Sequence, residues 1–285
     1  MADFRLIQVS DPHLSRQKAY FQENWEVFVA AMRADPPDLI VVTGDLCFDA
    51  IEQPDDMAFA REQMDRLPVP WLAIPGNHDV GDQWPDLKFK QPVDAAKRRL
   101  WMDHFGPDWW VSDHAGWRLV GLNAMLFDSG LPEEAEQWAW LDTALEGRAG
   151  RDVLLFVHKP LYLDVPETTA DSTLFYAAGT RRRLMDLAQR HAVRAIGSGH
   201  LHRRFVDAHH GVQLVWAPSS GFVMGGFPPR LPVGETEVGY VEYRLGDGVL
   251  SHHFIRPPAF ALNDMSETMA RLKSTVNLPP KPWLG

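Results

Sequence analysis

Residues 38–49 read "DLIVVTGDLCFD". Leu39, Ile40, Val41, Val42 and Thr43 form an unbroken apolar and β-branched run, as in a strand covered on both faces. The run stops at Gly44 and delivers an acid, Asp45, at its carboxyl end. Two neighbouring stretches repeat the arrangement. "RLIQVS" (5–10) leads to Asp11 and His13, and the strand at 70–74 leads through "PGNHD" to Asn77 and His78. Asp11 and Asp45 are 34 residues apart, and Asp45 and Asn77 are 32 apart. That is about one strand–helix unit returning to a parallel sheet. The intervening helices are expected near 22–34, with Trp25, Phe28, Val29 and Met32 at helical spacing, and near 55–66, with Met57, Ala60 and Met64. The chain therefore reads as α/β.

The second half continues the pattern. "WRLVGLN" (117–123) is followed by a helix near 133–146 and by "DVLLFV" (152–157), which ends at His158. A helix at 180–191 precedes "VRAIGSG" (193–199), which ends at His200 and His202. Beyond these the texture turns to strands: "RRFVDA", "VQLVWAP", "EVGYVEYRL" and "VLSHHFI", joined by the turns "HHG" and "GDG". An Asp-Gly pair between alternating runs is a strong hairpin signal. Five buried strands thus end in residues able to bind a metal, and the carboxyl ends of α/β strands are where catalytic groups collect.

The chain has 285 residues, 45% hydrophobic and 23% charged, an ordinary globular composition. No apolar run approaches the roughly 20 residues of a membrane helix. The start, Met-Ala-Asp-Phe-Arg, enters a strand at once, so no secretion signal is expected. The single cysteine, Cys47, excludes an internal disulfide and fits a reducing compartment, so the cytoplasm is the expected location and no membrane partner is expected. A net charge of −10 argues against a broad nucleic-acid surface, and Arg181–Arg183 reads as a solvated helix face. Residues 1–255 are expected to form one domain. Residues 256–285 form a tail with a short helix near 264–273 between Pro-rich segments, packing on the domain or on a partner subunit, with a homo-oligomer left open.

Asp11, His13, Asp45, Asn77, His158, His200 and His202 offer two carboxylates, one amide oxygen and four imidazoles, without a thiolate. Oxygen and imidazole donors suit Mn, Fe, Zn or Co, whereas a calcium site would not use so many histidines. Seven donors are too many for one tetrahedral ion and suit two ions sharing a carboxylate. Such pairs sit roughly 3.5–4 Å apart and carry out in-line displacement at phosphorus, lowering the pKa of bound water from about 15.7 towards neutrality.

"DPH" (11–13), "GDLCFD" (44–49), "GNHD" (76–79), the strand-end His158 and "GHLH" (199–202) resemble the calcineurin-like metallophosphoesterases in order and spacing across about residues 11–202. The pattern looks most like the bacterial cyclic-nucleotide and glycerophosphodiester phosphodiesterase branch. The resemblance implies a four-layer α/β/β/α sandwich of two mixed sheets, with a dinuclear metal site at the sheet edges and the last strands supplying the second sheet. It implies one metal ion on Asp11, His13, Asp45 and His202, and a second on Asp45, Asn77, His158 and His200, with Asp45 bridging. His78 would face the phosphate and pass a proton to the leaving oxygen. The implied activity is hydrolysis of small organic or cyclic-nucleotide phosphodiesters by a hydroxide held between the ions. A phosphomonoesterase, acting on small molecules or proteins, is the alternative, a DNA nuclease a more distant one, and a non-catalytic scaffold the remotest, since no donor is lost.

Other residues carry lesser expectations. Asp49 and Asp79 should orient ligands or cap turns. Asn123 ends a strand on the same edge and is a candidate substrate or supporting contact. Cys47 reads as a small buried thiol. His104, His114, His191, His209, His210, His252 and His253 read as surface or rim residues. Trp109 and Trp110, and the loops at 81–92, 163–179 and 221–235 with Trp84, Phe89, Phe175, Tyr176, Phe222 and Phe227, are candidate cleft walls. Lys88, Lys90 and Arg230 are candidate contacts to a second anionic group.

Overall fold

The computed structural model describes residues 4–83, 91–169, 172–225, 233–246, 248–271 and 280–284. The first unit comprises β1 (Phe4–Val9), α1 (Gln22–Ala34), β2 (Leu39–Thr43), α2 (Asp55–Met64), β3 (Trp71–Ile74) and the single turn α3 (Asn77–Val80). Next come α4 (Ala95–Phe105), β4 (Trp110–His114), β5 (Trp117–Gly121), α5 (Pro132–Glu146), β6 (Asp152–Phe156), α6 (Ala178–Arg190) and β7 (Val193–Ser198). The hairpin β8 (Phe205–His209) and β9 (Val212–Trp216), the hairpin β10 (Tyr240–Leu245) and β11 (Leu250–Ile255), and α7 (Met265–Arg271) complete the chain.

Two mixed sheets result, ordered β11-β10-β1-β2-β3 and β4-β5-β6-β7-β9-β8. The strands β1, β2 and β3 are parallel, as are β5, β6, β7 and β9. The strand period of two sorts their side chains between layers. Leu6, Leu39, Val41, Leu119, Leu154 and Phe156 fill the space between the sheets. Their neighbours Ile7, Ile40, Val42, Val120, Val153 and Leu155 face outwards, with Trp25, Phe28 and Met57 from the helices on one side and Trp138, Leu141 and Leu184 on the other. This is the expected four-layer α/β/β/α order. One polar group crosses the inter-sheet layer: Gln8 donates to Thr43 Oγ1 and to Ser198 O, and accepts from the Tyr243 hydroxyl.

The second sheet differs from the expectation. It is built by β4 to β9, whereas the C-terminal hairpin returns to the first sheet, where β10 pairs antiparallel with β1. α4 and β4 were not foreseen, because the polar segment "AAKRRLWMDHF" has no clear apolar stripe. Arg181 is not on a solvated face: it is buried and donates to Tyr176 O and Thr168 O, and only Arg182 and Arg183 are exposed. Trp110 is also interior, between the sheets, with its indole N–H on Ala73 O. Trp109 lies under Arg98, against Trp140. Cys47 is fully buried, as expected. The tail is pinned at both ends: α7 inserts Met265 against Phe21 and Phe222, and the backbone at Lys281 and Trp283 pairs with Gln17, Ala19 and Arg16. Among the described residues no helix is long and apolar enough to cross a membrane.

Candidate metal centre

The carboxyl ends of β1, β2, β3, β6 and β7 meet at one edge of the two sheets. Three groups of side chains converge there with donor atoms within 4.8 Å of one another: Asp11, His13 and His202; Asp45, His158 and His200; and His13, Asp45 and His78. Asn77 joins the second group through Oδ1, 3.2 Å from His158 Nε2. All eight residues singled out in the sequence thus lie in one cluster. The first sheet supplies Asp11, His13, Asp45, Asn77 and His78, and the second supplies His158, His200 and His202.

Asp45 joins the groups. Its Oδ2 lies 3.8 Å from His13 Nε2 and 3.4 Å from His158 Nε2, while its Oδ1 accepts the His78 backbone N–H. Within the groups His13 Nε2 and His202 Nε2 are 3.2 Å apart, as are His158 Nε2 and His200 Nδ1. His202 Nε2 is 3.5 Å from Asp11 Oδ1. Asp11, His13, Asp45, His158 and His202 are buried, and Asn77, His78 and His200 form the half-exposed side.

The backbone bends sharply to deliver these groups. Asp11, His13, Asp45, His200 and His202 have φ between 48° and 68°, a left-handed conformation costly for residues with a Cβ. The surrounding hydrogen bonds hold it: the N–H of Asp11 donates to Gly44 O, that of His13 to Asp45 O, and that of His200 to Asp11 Oδ2. Gly76 is needed for close approach, since a Cβ there would lie 2.2 Å from Asp45 Oδ1.

The imidazoles are oriented from behind. His158 Nδ1–H donates to Thr43 O and His202 Nδ1–H to Phe222 O, each at 2.8 Å, which leaves both Nε2 lone pairs facing the cluster. His78 Nδ1–H donates to Phe48 O at 2.7 Å. Burial and the neighbouring imidazoles push His13 and His200 well below the usual histidine range. Burial also opposes a charge on His158, but the carboxylates of Asp45 and Asp11 override it and raise its pKa to about 9. On His78 burial is likewise outweighed, by Asp45 and by the bond to Phe48 O, so its pKa rises. A pocket with two carboxylates and with the Nε2 atoms of His158 and His202 turned inwards fits transition-metal ions.

Asp79 does what was expected of it, collecting the N–H groups of Gly76, Leu46 and Cys47 and so tying the β2 and β3 loops together. Asp49 caps a turn through the Glu52 N–H. Asn123 does not reach the cluster. Its amide donates to Asp108 Oδ2 and accepts the Met125 N–H, within a buried network with Arg98 and Gln137. Phe175 and Tyr176 are buried and wall no cleft, and Phe222 packs under the rings of His13 and His202 at 4.8 and 4.3 Å. A separate cavity of about 230 Å³, lined by Leu161, Glu167, Arg181, Met185 and His209, shares no residue with the donor groups. None of the seven remaining histidines belongs to those groups. Trp84, Lys88, Phe89, Lys90, Phe227 and Arg230 lie outside the described residues.

Two supporting groups escaped the sequence reading. Lys159, directly after His158, is fully buried and ion-paired with Asp82, which roots the loop after "GNHD". Ser219, beyond β9, donates its hydroxyl to Asp11 O. Neither carries a sequence signal, because each acts on a partner far away in the chain.

Comparison with known proteins agrees with this geometry. Residues 4–204 match the family model described as calcineurin-like phosphoesterase. A zebrafish (Danio rerio) protein named serine/threonine-protein phosphatase CPPED1 is 29% identical over 251 residues, covering 78% of this chain and 77% of its own. A probable cyclic nucleotide phosphodiesterase of Synechococcus is 25% identical over 208 residues, covering 70% of each chain. Among solved structures, the purple acid phosphatase PPD1 of yellow lupin (Lupinus luteus) superposes with a TM-score of 0.66 at 15% identity. That match covers 92% of this chain but only 53% of the lupin chain, and at such identity it speaks for the fold alone.

Proposed function

Because the chain belongs to the calcineurin-like phosphoesterase family, we propose that it hydrolyses phosphodiesters of small organic molecules at the cluster joined by Asp45. The observation that carries this reading is the single oxygen, Asp45 Oδ2, facing His13 on one side and His158 on the other. Asp11, His13, Asp45 and His202 would hold one transition-metal ion, Mn, Fe, Zn or Co, and Asp45, Asn77, His158 and His200 a second. Bound there, two such ions supply Lewis acidity at the phosphoryl oxygens and bring the pKa of water towards neutrality.

The chain's own residues supply orientation and the proton. Thr43 O and Phe222 O fix the tautomers of His158 and His202, so neither ring has to reorganise. His78 is anchored through Nδ1, which leaves Nε2 for a substrate oxygen, and the Asp45 carboxylate favours its protonated state. A positioned imidazolium can hand its Nε2 proton to the departing oxygen as the P–O bond breaks, a contribution of about 10²–10⁴-fold for a poor leaving group.

A diester presents one negative charge at phosphorus and a monoester up to two. The similarity to a protein named as a probable cyclic nucleotide phosphodiesterase favours the diester. Phosphomonoester hydrolysis is the second reading, favoured by the similarity to a protein named as a phosphatase. A panel of kcat/KM values on cyclic nucleotides, glycerophosphodiesters, bis(p-nitrophenyl) phosphate and monoesters separates the two. Diesters are expected to lead, and a clear preference for monoesters would overturn the first reading.

A further inference from the structure

Resting on the phosphodiesterase reading, we propose that the leaving group is received beside His78 on a half-buried platform of Tyr20, Phe48 and Met269, rimmed by Lys18, Arg271 and Lys281. The preferred leaving group is then an aromatic alcohol that carries a negative charge of its own.

The side on which the leaving group departs is the side of the proton donor. His78 is held there by Phe48 O, and the Phe48 ring lies 6.2 Å from that of His13, which itself stands 4.8 Å from the His78 ring. Phe48, Tyr20 and Met269 stay partly exposed while packing on the buried trio Phe21, Phe222 and Met265. That trio is continuous with the cluster, because the Phe222 ring lies 4.8 Å from that of His13. The result is an apolar surface next to the donor groups, built from the loops after β1 and β2 and from α7. Aromatic rings and a methionine thioether suit a planar ring system, by offset stacking and by S–aromatic contact.

The rim is cationic on a chain whose net charge is −10. Lys18 Nζ sits 5.5 Å from the centre of the Phe48 ring, and Lys281 Nζ sits 5.7 Å from that of Tyr20. Arg271, at the end of α7, is near enough to Tyr20 to oppose the upward push that burial gives its hydroxyl. Among the described residues none of these three cations makes an ion pair with a carboxylate, whereas Arg16, two residues before Lys18, pairs with Glu62. The backbone pairing of Lys281 with Gln17 and Ala19 places Lys18 and Lys281 side by side. Among the described residues, three cations without a carboxylate partner stand around the apolar platform, and they select a ligand that is both aromatic and anionic.

The test uses the full-length protein loaded with Mn²⁺ and two diesters with leaving groups of similar acidity, methyl 4-nitrophenyl phosphate and methyl 3-carboxy-4-nitrophenyl phosphate. The carboxylated ester is expected to have a kcat/KM about ten-fold higher, falling towards parity as salt is raised and in the Lys18→Gln/Lys281→Gln variant. Met269→Ser is expected to raise KM for both esters about three-fold through lost apolar contact. Hydrolysis of both diesters with a ratio near one, or a ratio unmoved in the double variant, overturns the cationic rim. A KM unmoved by Met269→Ser overturns the apolar platform. Cleavage of neither diester, with 4-nitrophenyl phosphate hydrolysed, overturns the phosphodiesterase reading itself and this inference with it.

Discussion

The backbone N–H of His78 donates to Oδ1 of Asp45 over 2.8 Å. One residue thereby gives its main chain to the carboxylate shared by the donor groups and keeps its imidazole for the open side. The two roles are separable, since a side-chain replacement leaves the N–H in place. His78→Ala is expected to retain its metal content by elemental analysis and to lose about 10²-fold or more in kcat with alkoxide leaving groups. Loss of metal in that variant would make His78 a ligand instead.

Asp45→Asn should behave differently. An amide in place of the shared carboxylate weakens both sites, so metal content and activity are expected to fall together. His200→Ala touches one group only and should halve the stoichiometry. Chelation of the native protein should abolish turnover, and Mn²⁺ should restore it. Full activity in excess chelator would refute a metal-dependent mechanism.

Gly76→Ala tests the close packing behind Asp45. The added Cβ would meet Asp45 Oδ1 at 2.2 Å and Asp45 N at 2.4 Å, and the second of these is backbone that cannot swing aside. A stability loss of about 1–3 kcal/mol in denaturant titration is expected, with weaker metal binding. Wild-type values for both would show that the loop shifts freely.

The buried pair of Lys159 and Asp82 should tolerate joint removal better than single removal. Lys159→Met removes the buried ammonium from the Asp82 carboxylate and is expected to cost about 3–5 kcal/mol. Lys159→Met/Asp82→Leu should recover much of that loss, read as Tm. If both variants unfold alike, the pair contributes through shape and not charge.

Asp56 offers a pH test away from the metal cluster. Burial raises its carboxyl to about 6, against the Ser15 hydroxyl and the backbone of Asp49 and Arg16, from an ordinary value of 3.8. The folded protein therefore binds the proton more tightly than the unfolded chain. This contribution is fully present below about pH 4 and is lost as pH rises through 6, a change of at most about 3 kcal/mol. Asp56→Asn should remove that part of the slope, seen in urea titrations between pH 4 and 7. Parallel wild-type and variant curves would refute the shift.

Much of the architecture is legible in local pattern. The run Leu39–Thr43 is apolar enough to be a covered strand, and α1 and α2 carry their apolar stripes at the expected positions. The donor residues are legible too, since Asp11, His13, Asp45, Asn77, His78, His158, His200 and His202 all follow recognisable strands. Where the reading failed, the cause was an interaction between distant segments. Asn123 looked available at a strand end until Asp108 and Gln137 occupied its amide and N–H. Arg181 looked solvated until the carbonyls of Tyr176 and Thr168 closed over it.

By itself, then, the sequence determined most of the strands, that those leading into the metal-binding residues are largely buried, and which metal-binding side chains stand at their ends. Those properties depend on residues two to four places apart, whose periodicity survives without knowledge of the fold. Only the tertiary structure decided that the C-terminal hairpin joins the first sheet and not the second. It alone decided that Asp45 Oδ2 faces two imidazoles from different sheets, and that Thr43 O and Phe222 O set the imidazole tautomers. The physical reason is that strand partnership and hydrogen-bond acceptance are settled between groups 20 to more than 200 positions apart, as with Phe222 behind His202 and Leu245 beside Phe4. No local pattern records such contacts.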